Sequence, residues 1–386
     1  MDLNNFMMDL NSDYHGSFSF SSDVEPYSDN AYTINDSNYN ERVYNMASLI
    51  LLKGIMPITF TVGICGNLLV ILMIIRCRIF HTPTNMYLIS LALADTTYLL
   101  SSMIRRWIVY STSPVLIEDV GGLGDQAIYF CIIFESILNW SGAVSCAMIL
   151  FVALDRYLAI CHPIRFRIIS TNKTAIYVSV AVWIIYLVPT LAYYTNQTIQ
   201  EYDLIWETSY DATAYPRVSK LCTTRYTNGF RYLHIMDEIL AILEVPIIIV
   251  LYIFAIKQLK RNALKTLGKH QLAKRQRVIN MLIATTAVYI ICVIPLNFSL
   301  FLTLFDINVS HTFHYVTALL LYVNSAINPV IYMLVRKDFR RAMKQVLCCK
   351  KPELRENLTI TTDSRSKRTQ SSIEMGSIER RNGNVE

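Results

Sequence analysis

The sequence predicts an all-α membrane protein: a bundle of seven membrane-spanning helices with a short amphipathic helix after the seventh. Three observations carry that prediction. The 386 residues are 53% hydrophobic and only 17% charged, where a soluble domain carries about 25% charged residues, so much of the chain is solvated by lipid. Seven apolar stretches reach the roughly 20 residues that a helix needs to cross the hydrocarbon. The charged residues sort the connections into two sides, one basic and one acidic. Alternation at the spacing of a membrane barrel does not recur.

The spans run over about residues 47–75, 84–109, 127–160, 173–194, 232–259, 276–304 and 311–334. On one side fall Arg76 and Arg78, then Arg165, Arg167 and Lys173. A third connection there is the most basic, running from Lys257, Lys260, Arg261, Lys265 and Lys269 to Lys274, Arg275 and Arg277. Arg336, Lys337, Arg340, Arg341 and Lys344 follow the seventh span on the same side. On the other side lie Asp2, Asp9, Asp13, Asp23, Glu25, Asp29, Asp36 and Glu41, with Glu201, Asp203, Glu207 and Asp211 after the fourth span. Basic connections stay in the cytoplasm, so the N-terminus is expected outside and the C-terminus inside. The first residues have no basic region followed by an apolar one, so no cleavable signal peptide is expected, and the first span serves as the targeting signal.

Three segments follow. Residues 1–46, rich in Ser, Asn, Asp and Tyr, read as a disordered extracellular arm. Residues 47–347 form the membrane domain. Residues 348–386 read as a disordered cytoplasmic tail bearing Thr359, Thr361, Thr362, Ser364, Ser366, Thr369, Ser371, Ser372 and Ser377. Within the membrane domain, residues 336–347 place Phe339, Met343 and Leu347 on one face with basic residues elsewhere, the pattern of a helix lying on anionic membrane lipid. Cys348 and Cys349 follow at once as candidate palmitoylation sites. Glycosylation sequons begin at Asn35, Asn196 and Asn308 on the outer side. The same pattern at Asn139, Asn172, Asn297 and Asn357, in membrane or cytosol, shows how little one sequon decides.

Several functions are excluded. The nine cysteines fit neither a zinc site nor a dense disulfide framework. All seven histidines lie in tails, loops or helix ends, so no nucleophile–base cluster or metal set sits within the spans, and an enzyme is not expected. A transporter calls for inverted repeats or helices broken at mid-membrane, and neither is seen. Nothing points to a nucleic-acid partner.

A polar residue inside a span is expensive and usually functional. Helix one carries Gly66-Asn67-Leu68-Leu69-Val70; helix two Leu91-Ala92-Leu93-Ala94-Asp95; helix three ends in Leu154-Asp155-Arg156-Tyr157. Trp183 lies on helix four, Pro246 on five and Pro295 on six. Helix seven reads Asn324-Ser325-Ala326-Ile327-Asn328-Pro329-Val330-Ile331-Tyr332. Together, in this order, they resemble the rhodopsin-like G-protein-coupled receptors, and the stretches around Asp95 and Arg156 resemble the neuropeptide-receptor branch. The likeness covers about residues 47–347.

Asn324 and Asn328, like Ser325 and Asn328, share a face of helix seven. Asp95 would be stranded in lipid without these residues, Asn67 and Ser145 around it. The resemblance implies a sodium ion at Asp95 in the inactive state; the alternative is a purely structural polar network. At helix three, Arg156 reads either as a snorkelling basic residue or, by resemblance, as a switch held by Asp155 and released to a heterotrimeric G protein, with Tyr157, Pro295, Pro329 and Tyr332 in the same machinery. Some members carry an acid that would lock Arg156 where this chain has Arg275, so that second lock is expected to be absent. The family also pairs Cys131 with Cys222. It further implies a receptor kinase and arrestin acting on the tail, and a place in the plasma membrane.

Leu138 stands where amine receptors have Asp, and Tyr322 where opsins have the retinal Lys, so neither a monoamine nor retinal is expected, and no other cofactor. The outer bundle offers Arg105, Arg106, Glu135, Asn139, Glu238 and Tyr322 as ligand contacts, or as groups that simply pair with one another. Glu135 and Asn139 share a helix face. Both charge signs suit an extracellular peptide, and the acidic outer side favours a basic, amidated one by charge alone; the alternatives are a lipid or another small non-amine ligand, and a transporter. The loop 195–231, acidic and rich in tyrosine (Tyr202, Tyr210, Tyr215, Tyr226), reads as a binding loop or as disorder. Three residues depart from the family: Val293 replaces a usual Trp, Tyr289 a usual Phe and Phe254 a common Tyr. A different trigger or unusual basal activity is the expected consequence.

Overall fold

The structure is a computed structural model and describes residues 31–36, 38–207, 215–225, 228–263, 269–304, 311–335 and 337–347. Seven long helices form the bundle: α1 (Met46–Arg76), α2 (Pro83–Thr112), α3 (Ala127–Cys161), α4 (Asn172–Asn196), α5 (Asn228–Ala263), α6 (Lys269–Leu304) and α7 (His311–Val335). A shorter helix, α8 (Lys337–Leu347), packs on α1 and α7. Helix α3 is central, touching α2, α4, α5 and α6, and α7 closes the ring against α1.

The helix ends follow from their sequences. Thr82 caps α2 by accepting from the Asn85 N–H, with Pro83 in the first turn. Thr171 caps α4 in the same way through the Thr174 N–H at 3.1 Å. Within α1, residues Leu51–Ile55 form a π-turn in which the Met56 N–H reaches the Leu51 carbonyl. Pro57, next in the chain, has no N–H to offer the helix.

Solvent quality explains the packing. Ile58, Ile185, Val188, Ile247 and Ile291 are all exposed on the outside of the bundle, an arrangement suited to lipid and unfavourable in water. Inside, Met148 and Val152 of α3 meet Ile248 of α5, Tyr289 and Val293 of α6 and Tyr332 of α7 in one buried cluster. Polar joints lock the register. The Trp183 indole donates to Ser90 Oγ at 2.9 Å, and the Trp140 indole donates to the Trp183 carbonyl at 2.8 Å, tying α2, α3 and α4 together.

Close helix contact needs a glycine at Gly66. A Cβ there would lie 2.8 Å from Pro329 Cβ of α7, well inside van der Waals contact. Gly66→Val is therefore expected to push α1 from α7 at a cost of about 1–3 kcal/mol. A thermal melt of the detergent-solubilised protein would read this as a lowered Tm; an unchanged Tm would show that the contact is not tight.

Four features differ from the sequence reading. First, a small sheet lies outside the bundle, in strand order β1-β2-β3. Strand β1 (Ala31–Ile34) pairs in parallel with β2 (Gln197–Trp206), which pairs antiparallel with β3 (Val218–Thr224). Residues 31–34 and the helical turn Tyr39–Arg42 fall in the arm expected to be disordered. They are ordered because Tyr32, Ile34 and Val43 bury against Leu116 and Trp206. Residues 1–30 lie outside the described part. Second, Gln197–Trp206 and Val218–Thr224 within the loop 195–231 are the two strands of this hairpin. Third, α5 and α6 extend beyond the predicted spans. Lys257, Lys260 and Arg261 lie on α5, while Lys269, Lys274, Arg275 and Arg277 lie on α6. Lys, Arg and Gln are good helix formers and can continue a helix past the bilayer edge. Fourth, the buried face of α8 is Phe339, Ala342 and Val346, whereas Leu347 is exposed and Met343 half-buried. Phe339 packs edge-on against Phe80 and Tyr332, which rotates the helix from the expected Phe339–Met343–Leu347 line.

Candidate signalling core and ligand site

At one end of the bundle, Asp155 and Arg156 form an ion pair at 2.5 Å. Asp155 is 5% exposed and gathers three groups. Its Oδ2 takes the guanidinium and accepts from Thr84 Oγ1, and its Oδ1 accepts from Ser170 Oγ at 2.8 Å. The Arg156 guanidinium also contacts Thr84 Oγ1. The guanidinium is thus held against α2 and α3 and is not extended towards solvent. Tyr157 bonds to His162 at 3.3 Å and packs edge-on against Phe254 of α5. Tyr332 is buried against Phe339. The side chain of Arg275 lies outside the described residues. Between α3 and α4 a short helix, Pro163–Ile169, exposes Ile164, Ile168 and Ile169.

In mid-bundle, Asp95 is fully buried. Its Oδ1 accepts from Ser145 Oγ at 2.7 Å and its Oδ2 from Asn328 Nδ2 at 2.9 Å. Asn67 donates to the Ser325 carbonyl at 3.0 Å, so α1, α2, α3 and α7 meet here. Asn324 and Ser325 are buried, and Asn324 Oδ1 has no hydrogen-bond partner among the described residues. Pro295 lies within α6 and Pro329 within α7, where each withdraws an N–H from the helix ladder.

At the other end, Cys131 of α3 and Cys222 of β3 form a disulfide. Arg105 of α2 is clamped by Glu118 Oε2 at 2.5 Å and Glu135 Oε1 at 2.9 Å, and Arg106 lies 3.6 Å from Glu118 Oε1. Glu118 adopts φ 62°, a left-handed conformation uncommon for a residue with a Cβ, and so brings its carboxylate to both arginines. Next to it, Asp119 is 5% exposed and accepts from Ser113 Oγ, the Gly121 and Lys220 N–H groups and Ser219 Oγ. It pins the loop between α2 and α3 to β3. Lys220 pairs with Glu201, whose hydrogen bond and charge raise the amine's pKa. Tyr39 and Tyr215 share a hydrogen bond at 3.1 Å, which raises the Tyr39 phenol's pKa.

The candidate ligand residues therefore divide. Arg105, Arg106 and Glu135 come together. Asn139 does not join them: it is exposed and donates to its own helix at the Glu135 carbonyl, 2.9 Å away. Tyr322 is 1% exposed and pinned by the Met56 carbonyl at 3.3 Å and Met103 Sδ at 3.8 Å. The side chain of Glu238 lies outside the described residues, as do Asn308, Cys348 and Cys349. Asn35 sits in the turn after β1 and Asn196 ends α4, both at the disulfide end. Sequence reasoning missed Glu118, Asp119, Thr84 and a buried carboxyl on α5, Glu244. A charge in the middle of an apolar span signals Glu244; the others need the loop geometry.

A seven-helix bundle with a buried carboxylate in its middle, an arginine held at one end and a disulfide-tied cap at the other is the architecture of a membrane receptor. Residues 66–332 match the 7 transmembrane receptor (rhodopsin family). Neuromedin-U receptor 2 of Mus musculus is 30% identical over 301 residues, 75% of this chain and 73% of that protein. Somatostatin receptor type 2 of Mus musculus is 27% identical over 331 residues, 81% of each chain. Somatostatin receptor type 1 of Rattus norvegicus is 25% identical over 309 residues, 78% of this chain and 72% of that one. The chain belongs to the rhodopsin family of seven-transmembrane receptors. It is a G-protein-coupled signalling receptor of the plasma membrane, crossing it many times, and not an enzyme.

Proposed function

We propose that an extracellular peptide activates this receptor from its disulfide end and that the Asp155–Arg156 end engages the G protein. The carrying observation is the cap. Residues 31–43, the α2–α3 loop and the β2–β3 hairpin join in one folded unit over Arg105, Arg106, Glu118 and Glu135. Such a cap offers backbone edges and both signs of charge, which suits a chain of amino acids better than a small apolar ligand. The relatives named for neuromedin U and somatostatin, both peptides, support the same class. The acidic arm and hairpin support an extracellular N-terminus, and the basic ends of α5 and α6 support a cytoplasmic C-terminus.

The peptide shifts a pre-existing equilibrium towards an open state, and Arg156 leaves Asp155 for the G protein, beside the exposed Ile164, Ile168 and Ile169. A receptor kinase and arrestin act on the Ser/Thr-rich tail. Helix α8 lies on membrane lipid, fixed by acyl chains on Cys348 and Cys349, and sugars occupy Asn35, Asn196 and Asn308.

A sodium ion fits beside Asp95. The carboxylate has no cationic partner among its hydrogen bonds, and Ser145 Oγ and the unpartnered Asn324 Oδ1 are neutral oxygen donors. The bound ion would supply the countercharge. Replacing choline chloride by sodium chloride at equal ionic strength is expected to raise the Tm of the wild-type receptor, since a ligand that binds the folded state stabilises it. Asp95→Asn should abolish the difference. An equal sodium effect in both would place the ion elsewhere.

Ligand class is tested by calcium release in cells carrying a promiscuous G-protein α subunit, screened against short amidated peptides, amines and lipids. A dose-dependent response to a peptide is expected; a response confined to lipids or amines would overturn the peptide assignment.

A further inference from the structure

Glu244 of α5 sits where α3, α5 and α6 meet. It is 7% exposed, and Tyr289 of α6 is fully buried beside it. The Tyr289 hydroxyl donates to Glu244 Oε2 at 3.3 Å, while Oε1 has no hydrogen-bond partner among the described residues. Cys146 of α3 is a further neighbour of that hydroxyl. One turn along α6, Val293 is buried where most receptors of this type carry Trp. Tyr289 stands where they carry Phe, which could not donate to a carboxyl. A hydroxyl on α6 and an acid on α5 thus complement each other beneath the ligand end, in place of the usual aromatic pair. The seam around them is packed by Val245 and Ile248, and a second polar side-chain contact, between Tyr252 of α5 and Thr286 of α6, crosses it nearer the Arg156 end.

We propose that Glu244 is a positioning residue for activation: its hydrogen bond with Tyr289 latches α6 to α5 in the packed state and sets how often the receptor opens without ligand. The inference rests on the receptor reading. Outward motion of α6 separates the two side chains, so the bond weighs on one side of the equilibrium only. In a medium without competing water such a bond keeps its strength, and a ligand must supply the difference between the states.

The test uses the full chain in lipid nanodiscs without ligand. Two readouts run in parallel: nucleotide exchange on a purified heterotrimer, and the distance between spin labels at Lys173 and Arg277, which reports movement of α6 without any G protein. Tyr289→Phe deletes only a hydroxyl and is expected to raise basal exchange about fivefold, the ratio one hydrogen bond supplies, with a larger open fraction in the label distances. Glu244→Gln keeps an acceptor and should leave the effect of Tyr289→Phe in place. Glu244→Leu should abolish that effect. A label distribution indifferent to Tyr289→Phe, or shifted equally in the Glu244→Leu background, overturns the latch. Silence of exchange in every variant while the labels move as expected would instead fault the coupling to that G protein.

Discussion

Replacing Cys131 and Cys222 by serine is expected to cost more at the ligand end than any other change outside the bundle. The bridge spans 91 residues of sequence and joins the first turn of α3 to β3, with Cα atoms 5.6 Å apart. Strand β3 pairs with β2, and β2 carries β1. Apart from the chain's own passage from α4 into β2, the cap is thus tied to the bundle by this bridge, supported by the Ser219 and Lys220 donors of β3 to Asp119. A bridge closing about 100 residues contributes roughly 4–5 kcal/mol on the chain-entropy account, more than a three-stranded sheet on the outside of a bundle can spare. Hydrogen exchange in residues 197–206 and 218–224 should accelerate towards that of an unstructured loop, while α2, α3 and α5 stay protected. The potency of an activating peptide should fall by about 100-fold or more, the loss expected when its site must be ordered on binding. Unchanged protection in β2 and β3 would mean that the hydrogen bonds of Asp119 hold the cap without the bridge.

Arg156→Ala is expected to abolish ligand-driven nucleotide exchange while leaving peptide affinity within a few-fold of wild type. In the packed state the guanidinium is committed to Asp155 and Thr84, and Asp155 is in turn held by Ser170. Removing one partner of a buried charge pair leaves the other uncompensated, so the variant should also melt at a lower temperature. The comparison that separates the two effects is surface expression and peptide binding measured beside exchange. A variant that binds peptide and exchanges nucleotide normally would remove Arg156 from the coupling step.

The bundle was legible because length and apolarity define a span, most plainly in α1 to α5 among the described residues. The interior was legible in part because a polar residue in lipid must find a partner: of the groups expected around Asp95, namely Asn67, Ser145, Asn324, Ser325 and Asn328, the hydroxyl of Ser145 and the amide of Asn328 donate to its carboxylate, whereas Asn67 donates to the Ser325 carbonyl. The pairing of Cys131 with Cys222 rested on resemblance and is present. The cap was not legible. Ala31–Ile34 is four residues long, and only its partners at Asp203–Trp206 make it a strand. Glu118 was invisible because its place beside Arg105 depends on a left-handed backbone. Asn139 misled because sharing a helix face with Glu135 does not fix where its amide turns; it bonds back to its own helix. Glu244 was missed although the rule that picked out Asp95, a charge inside an apolar span, applies to it equally.

In the proposed mechanism a peptide at the disulfide end drives nucleotide exchange through Arg156 at the opposite end. Exchange on a purified heterotrimer by the full chain in nanodiscs, titrated with the peptides of the ligand screen, is measured for the wild type and Arg156→Ala in parallel. Dose-dependent acceleration by at least one peptide is expected in the wild type and none in Arg156→Ala. Acceleration by no peptide, or equal acceleration in both proteins, would overturn the mechanism.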